Sequence, residues 1–125
     1  MFKGKAVVVK ISGEVAEEYK ELNRIVGEEI SKGITNSDHQ ILLNAIKQKI
    51  EFLKDNPQYG IHIQKDRIPK EYIENYEINN LWKINLPKAW RMIYTIKGEE
   101  AKIIAFILEY MDHEKYNKKF GYKKK

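Results

Sequence analysis

Residues 81–111, LWKINLPKAWRMIYTIKGEEAKIIAFILEYM, decide the fold. LWKINL (81–86) alternates Trp82, Ile84 and Leu86 against Lys83 and Asn85, the period-two signature of a strand with one face toward solvent. PKA (87–89) turns the chain, and WRMIYTI (90–96) is a second strand of aromatic, β-branched and apolar residues. After a turn at KGEE (97–100), AKIIAFILEYM (101–111) is apolar almost throughout, so this third strand is expected to be buried on both faces. Strands joined by links this short form an antiparallel meander (81–111), which cannot bury its apolar face alone.

Cover is available upstream. After a short β-rich run, KAVVVKI (5–11), the segment SGEVAEEYKELNRIVGEEISKG places Val15, Tyr19, Leu22, Val26 and Ile30 at helical spacing. Ser12 is the expected N-cap, glutamates crowd the first turn, and Gly33 is the stop. NSDHQILLNAIKQKIEFLKDNP repeats the pattern with Leu42, Ile46, Ile50 and Leu53, a capping box of Ser37 and Gln40, and Pro57 just past the end. The short link between the two stripes predicts an antiparallel helical hairpin over 12–56. Between hairpin and meander, QYGIHIQKDRIPKEYIENYEINN (58–80) reads as an extended piece at 60–64, a basic loop, and a helical turn at 70–76. A short helix is expected within the basic C-terminal tail, residues 112–125. The order β-α-α-(β)-β-β-β defines one α+β domain over 1–125, a two-layer antiparallel β-sheet covered by the N-terminal helical hairpin.

Composition narrows the function. The chain has no cysteine, which excludes disulfide and thiol chemistry and makes a cytoplasmic location the expectation. It has no apolar run of membrane-spanning length, and its N-terminus lacks the apolar stretch of a signal peptide. Histidines at 39, 62 and 113 have no metal-ligand spacing. The net charge of +5 lies in residues 61–125, which carry fourteen Lys/Arg against nine Asp/Glu. A cationic half suits an anionic partner, nucleic acid first, although a lysine-rich solubility surface has the same composition.

Of the 23 basic residues, arginine occurs at 24, 67 and 91 alone. Where lysine is the habitual cation, an arginine is the better choice for its planar fork of donors. Arg91 stands at the entrance of an otherwise apolar strand, on one face with Ile93 and Thr95. On an open sheet face it is a rigidly held cation; the alternative is a structural salt bridge to Glu77 or Glu109. His113 and Tyr116, three apart after the last strand, share a helical face, and a histidine there can act as acid or base. The alternative for His113 is an ordinary surface or capping role. Lys65, Arg67 and Lys70 on the loop, Lys83 and Lys88 in the meander, and Lys115, Lys118 and Lys119 in the tail are candidates for phosphate contacts. As a solvated surface they need no such role. Phe120 and Tyr122 read as packing residues, and His39 and His62 as structural.

Residues 81–120 resemble the C-terminal half of the RelE/ParE toxin superfamily. Its members end in a meander whose middle strand carries an arginine in an aromatic-Arg-apolar-apolar-Tyr pattern, here Trp90-Arg91-Met92-Ile93-Tyr94. Their last strand runs into a terminal segment containing His and Tyr, here His113 and Tyr116. The resemblance implies a RelE-like fold and, for the RelE branch, metal-independent mRNA cleavage on the ribosome, restrained by an antitoxin and needing no cofactor. It casts Arg91, His113 and Tyr116 as catalytic residues and Lys83 as a basic residue of the preceding strand. The general base stays open among Glu71, Glu74 and Glu77. The helical pair and the 64–76 insert exceed those of the compact toxins. Two other functions fit the same fold: a non-catalytic RNA- or ribosome-binding module, and a ParE-type protein inhibitor of a topoisomerase.

Overall fold

Two amphipathic stripes and a short polar link produce the expected hairpin. In the computed structural model, which describes residues 2–121, helix α1 spans Glu14–Ser31 and helix α2 spans Asp38–Asp55. Val15, Leu22 and Val26 of α1 are buried against Leu42, Ile46 and Leu53 of α2, while Ile30, at the end of its stripe, remains 62% exposed. Ser37 caps α2 by accepting the Gln40 N–H at 3.1 Å, but the Gln40 carboxamide reaches back to Asn36 N–H rather than to Ser37. Ser12 does not cap α1. Gly13 holds that position at φ 72°, ψ −146°, where a side chain would be strained, and it redirects the preceding strand into the helix.

Glu29 ties the two helices together. Its carboxylate accepts hydrogen bonds from the Ser37 hydroxyl and the Gln40 amide and lies 2.9 Å from His39 Nδ1. These bonds, Ser37 first, hold its pKa below the ordinary glutamate value. A depressed folded-state pKa stabilises above the unfolded value and is lost as pH falls through the folded one. Glu29→Ala should therefore lower the melting temperature at neutral pH. Thermal melts of both proteins across acid pH should show the difference shrinking below about 4.5, the unperturbed value. A deficit that stays constant down to full protonation would refute the clamp.

Five strands lie in one sheet in the order β1-β5-β4-β3-β2: β1 Ala6–Ile11, β2 Ile61–His62, β3 Trp82–Asn85, β4 Arg91–Gly98 and β5 Lys102–Met111. The meander is antiparallel as expected, but β1 pairs with β5 in parallel, Val7 opposite Ile103 and Ile11 opposite Ile107, so the sheet is mixed. The reason lies in β5. A strand apolar on both faces belongs in a sheet interior, and β1 supplies the neighbour that the meander alone lacks.

The expected two layers also gain a partial third. The hairpin covers one face, on Met92, Tyr94, Ala105, Ile107 and Tyr110. Helix α3 (Lys70–Tyr76) and helix α4 (His113–Phe120) cover the other, where Tyr72 and Tyr116 meet Ile93, Leu108 and Met111. The described residues thus form an α+β fold of four helices on a five-stranded mixed open sheet, and none of those helices is long and apolar enough to cross a membrane. Tyr122 and Lys123–Lys125 of the expected basic tail lie outside the described residues.

A β-bulge shapes the second face. Ile93 lies opposite Glu109 but Tyr94 lies opposite Ile107, so Leu108 is the extra residue. Strict alternation would send Leu108 and Glu109 to opposite faces. The bulge lets both address α3 and α4, with Leu108 in the apolar cluster and Glu109 bonded to Tyr72 and Lys119.

Candidate anion site on the second sheet face

Arg91 opens β4, directly after a turn in which Lys88 and Ala89 both take left-handed backbone angles, φ 59° and 63°. The Trp90 carbonyl closes that turn by accepting Leu86 N–H at 2.8 Å, and it also accepts Arg91 Nη1 at 3.1 Å. The guanidinium is half-buried. Its carbon sits 5.3 Å from the centroid of the Tyr116 ring, and the Lys83 ammonium stands 5.1 Å from the same ring. Tyr116 is 2% exposed and stacks at 4.4 Å on Phe120. Two cations therefore share one buried aromatic ring.

Arg91 has donors to spare. Its Nε is buried without a hydrogen-bond partner among the described residues. Neither carboxylate named from the sequence reaches it. Glu77 closes α3 in a left-handed conformation (φ 52°), and Glu109 is taken by Lys119 at 3.2 Å, Lys115 at 4.0 Å and the Tyr72 hydroxyl. A buried guanidinium N–H left unsatisfied is costly, and an incoming anion removes that cost.

The structure brings Arg91, Lys83 and Tyr116 together. His113 is the first residue of α4, one turn before Tyr116, but its imidazole is exposed and lies 3.1 Å from the Asn117 amide. Lys65 and Arg67 sit exposed on a 3-10 turn, and Lys70 starts α3. Ile63 and Ile68, which flank that turn, belong to the same apolar cluster as Tyr116, so this loop is anchored to the Arg91 face. Lys88 does not join them. It pairs with Asp38 at 2.9 Å on the hairpin side. Lys118 is exposed, whereas Lys119 is committed to Glu71 and Glu109.

The residue-by-residue reading missed the network that docks α4. Tyr72 donates to Glu109, and burial together with that bond pushes its phenol well above the ordinary tyrosine value. Burial alone would lower Lys119, but Glu71 and Glu109 override it and hold the ammonium above the ordinary lysine value. Alternation places Glu109 on the wrong face, so no spacing in the sequence signals this cluster. On the hairpin-covered face, buried Tyr94 bonds the Pro57 carbonyl and accepts Gly60 N–H at 3.0 Å; burial pushes its phenol up to about 12. At Gly60 a Cβ would stand 2.6 Å from the Lys83 carbonyl, so glycine is what allows β2 to approach β3 beside the site.

Among the described residues no group of three or more His, Asp or Glu is placed to hold a metal ion. No protein-family model, no curated protein and no solved structure matches the chain.

Proposed function

We propose that this chain is a RelE-like, metal-independent endoribonuclease that cuts mRNA, acts on the ribosome and is restrained by an antitoxin. The observation that carries the reading is Arg91, a half-buried guanidinium with an unspent Nε, facing a ring that it shares with Lys83. Backbone RNA cleavage forms a bond from the 2′-oxygen to phosphorus and breaks the bond to the 5′-oxygen. It needs a base for the 2′-hydroxyl proton, an acid for the departing oxygen, and a cation for the crowded phosphorane. Arg91 suits the cation, because its fork grips two phosphate oxygens at once. His113 suits the acid or base, being exposed one turn from Tyr116. Lys65, Arg67 and Lys70 hold the flanking phosphates without reading sequence.

The test is to induce the chain in a host and map mRNA breaks on translating ribosomes. Breaks that depend on His113 and Arg91 support the reading; an intact message pool during expression refutes it. His113→Gln should slow cleavage by about 10²–10⁴-fold while RNA affinity stays within a few-fold of wild type. Single-turnover rates and filter binding on the same RNA separate the two quantities. Equal loss of both would remove His113 from the proton-transfer role. One observation favours a second reading, binding of RNA without cleavage: the Tyr116 ring is 2% exposed and packed in the core, so its phenol is poorly placed for substrate.

A further inference from the structure

On the opposite face of the sheet, α1, the start of α2 and the β3–β4 turn enclose an open groove of about 640 Å³. Its floor is apolar: Leu22 and Ile25 of α1, Leu42 of α2, and the Trp90 and Tyr110 rings, whose centroids are 6.1 Å apart. Its rim is acidic. Glu17, Glu18, Glu21 and Asp38 line it against a single lysine, Lys88, in a chain whose net charge is +5. Three of these acids have partners, Glu17 with Lys20 at 3.8 Å, Glu21 with Arg24 at 2.7 Å and Asp38 with Lys88 at 2.9 Å, but all three pairs are more than half exposed and are weak enough to exchange. The Glu18 charge acts on the floor itself: after burial, it is the next cause that pushes the Tyr110 phenol up to about 12.

We infer that this groove docks a basic amphipathic helix from a partner protein. The residues of α1 that line it run from Glu17 to Ile25, a span of roughly 12 Å or two helical turns. An apolar floor of that length accepts side chains at i, i+3 and i+4 of a facing helix, and flanking Lys or Arg meet the rim. Charge complementarity selects the occupant. Four carboxylates repel RNA and acidic segments alike. A second copy is a poor match, because its basic helix, α4, already spends Tyr116 and Phe120 on its own sheet. The inference is independent of the RNA reading, since the groove and Arg91 lie on opposite faces.

The test uses the full chain, isotopically labelled, and a designed helical peptide of about 14 Leu and Lys residues, with a Leu/Glu peptide of the same pattern as control. The Leu/Lys peptide should shift the Ile25 methyl and Trp90 indole signals, and the Leu/Glu peptide should leave them in place. Glu17→Lys/Glu18→Lys, both exposed and therefore expected to fold, should weaken binding roughly tenfold, and Ile25→Asp should weaken it further. Absence of shifts in the groove, binding indifferent to both variants, or concentration-dependent shifts at Ile25 and Trp90 without peptide would each overturn the inference. The last outcome would assign the groove to self-association.

Discussion

Arg91→Ala should reduce RNA cleavage by about 10²–10³-fold, the usual loss on removing a preorganised charge from a phosphoryl or acyl transition state. It should do so with little effect on folding. In the folded protein the side chain makes one hydrogen bond among the described residues, to the Trp90 carbonyl, and one stacking contact with Tyr116. The stacking is worth about 0.5–2 kcal/mol, roughly 2–8 °C in melting temperature for a chain of this size. Truncation also removes an unsatisfied buried N–H, which offsets part of that loss. Arg91→Lys separates charge from geometry: it keeps the cation and loses the fork, so cleavage should fall between the wild type and Arg91→Ala. The measurements are single-turnover cleavage and thermal melts on the same preparations. A melting temperature lowered far beyond that range, or cleavage unchanged in Arg91→Ala, would make Arg91 a structural residue and end the phosphate-site proposal.

The elements were legible because each segment's local pattern agrees with its place in the fold. Stripes at 3.6 spacing marked both helices, period two marked β3, and the α3 turn fell where residues 70–76 suggested. What stayed hidden depends on partners far apart in sequence. The parallel pairing of Ala6–Ile11 with β5 leaves no trace in KAVVVKI itself. Ser12 looked like a cap because its residue type is right, but the backbone turns at Gly13. Ile30 continued its stripe and is nevertheless exposed, because the hairpin packs through Leu22 and Val26 and leaves the last turn of α1 uncovered.

The candidate site was legible to a similar extent. Arg91 stood out as a permanent cation in an apolar strand, and alternation put it correctly on a face with Ile93. Lys83 and Tyr116 do converge on it. Whether that face is open or Arg91 is held there by a salt bridge is not legible in the sequence, because tertiary packing decides it. Tyr72, Tyr116 and Phe120 fill much of the face, since α3 and α4 fold back over the sheet rather than leaving a bare hollow. Lysines counted as phosphate contacts also divide once packing is known: Lys119 serves Glu109, and Lys88 serves Asp38. A lysine's partner is set by tertiary contact, which composition does not carry.

That closing layer is held by Glu109, and Glu109→Ala is expected to have the largest effect on stability. The carboxylate and the Lys119 ammonium are each about one-fifth exposed, 20% and 18%, so their attraction is less screened than that of a surface pair. Removing the carboxylate leaves the Lys119 charge with Glu71, itself 47% exposed, and strips the buried Tyr72 hydroxyl of its acceptor. Loss of one partner from a fully buried pair costs about 3–5 kcal/mol, and the partial exposure of this pair together with the remaining Glu71 contact reduces the expectation to roughly 2–4 kcal/mol. The melting temperature should fall by about 10 °C or more. Glu71→Gln, which touches only the exposed arm, should cost less than about 1 kcal/mol. The damage should also be local: amides of α4 should lose protection from hydrogen exchange before those of β4 and β5, because Lys119 and Tyr116 lie on the same helix. If α4 supports the Arg91 site through the Tyr116 ring, cleavage should fall in Glu109→Ala below its melting point, although Glu109 makes no bond to Arg91. An unchanged melting temperature would mean that the ion pair does no more than cancel its own desolvation, and α4 would then be held by Tyr116 and Phe120 alone.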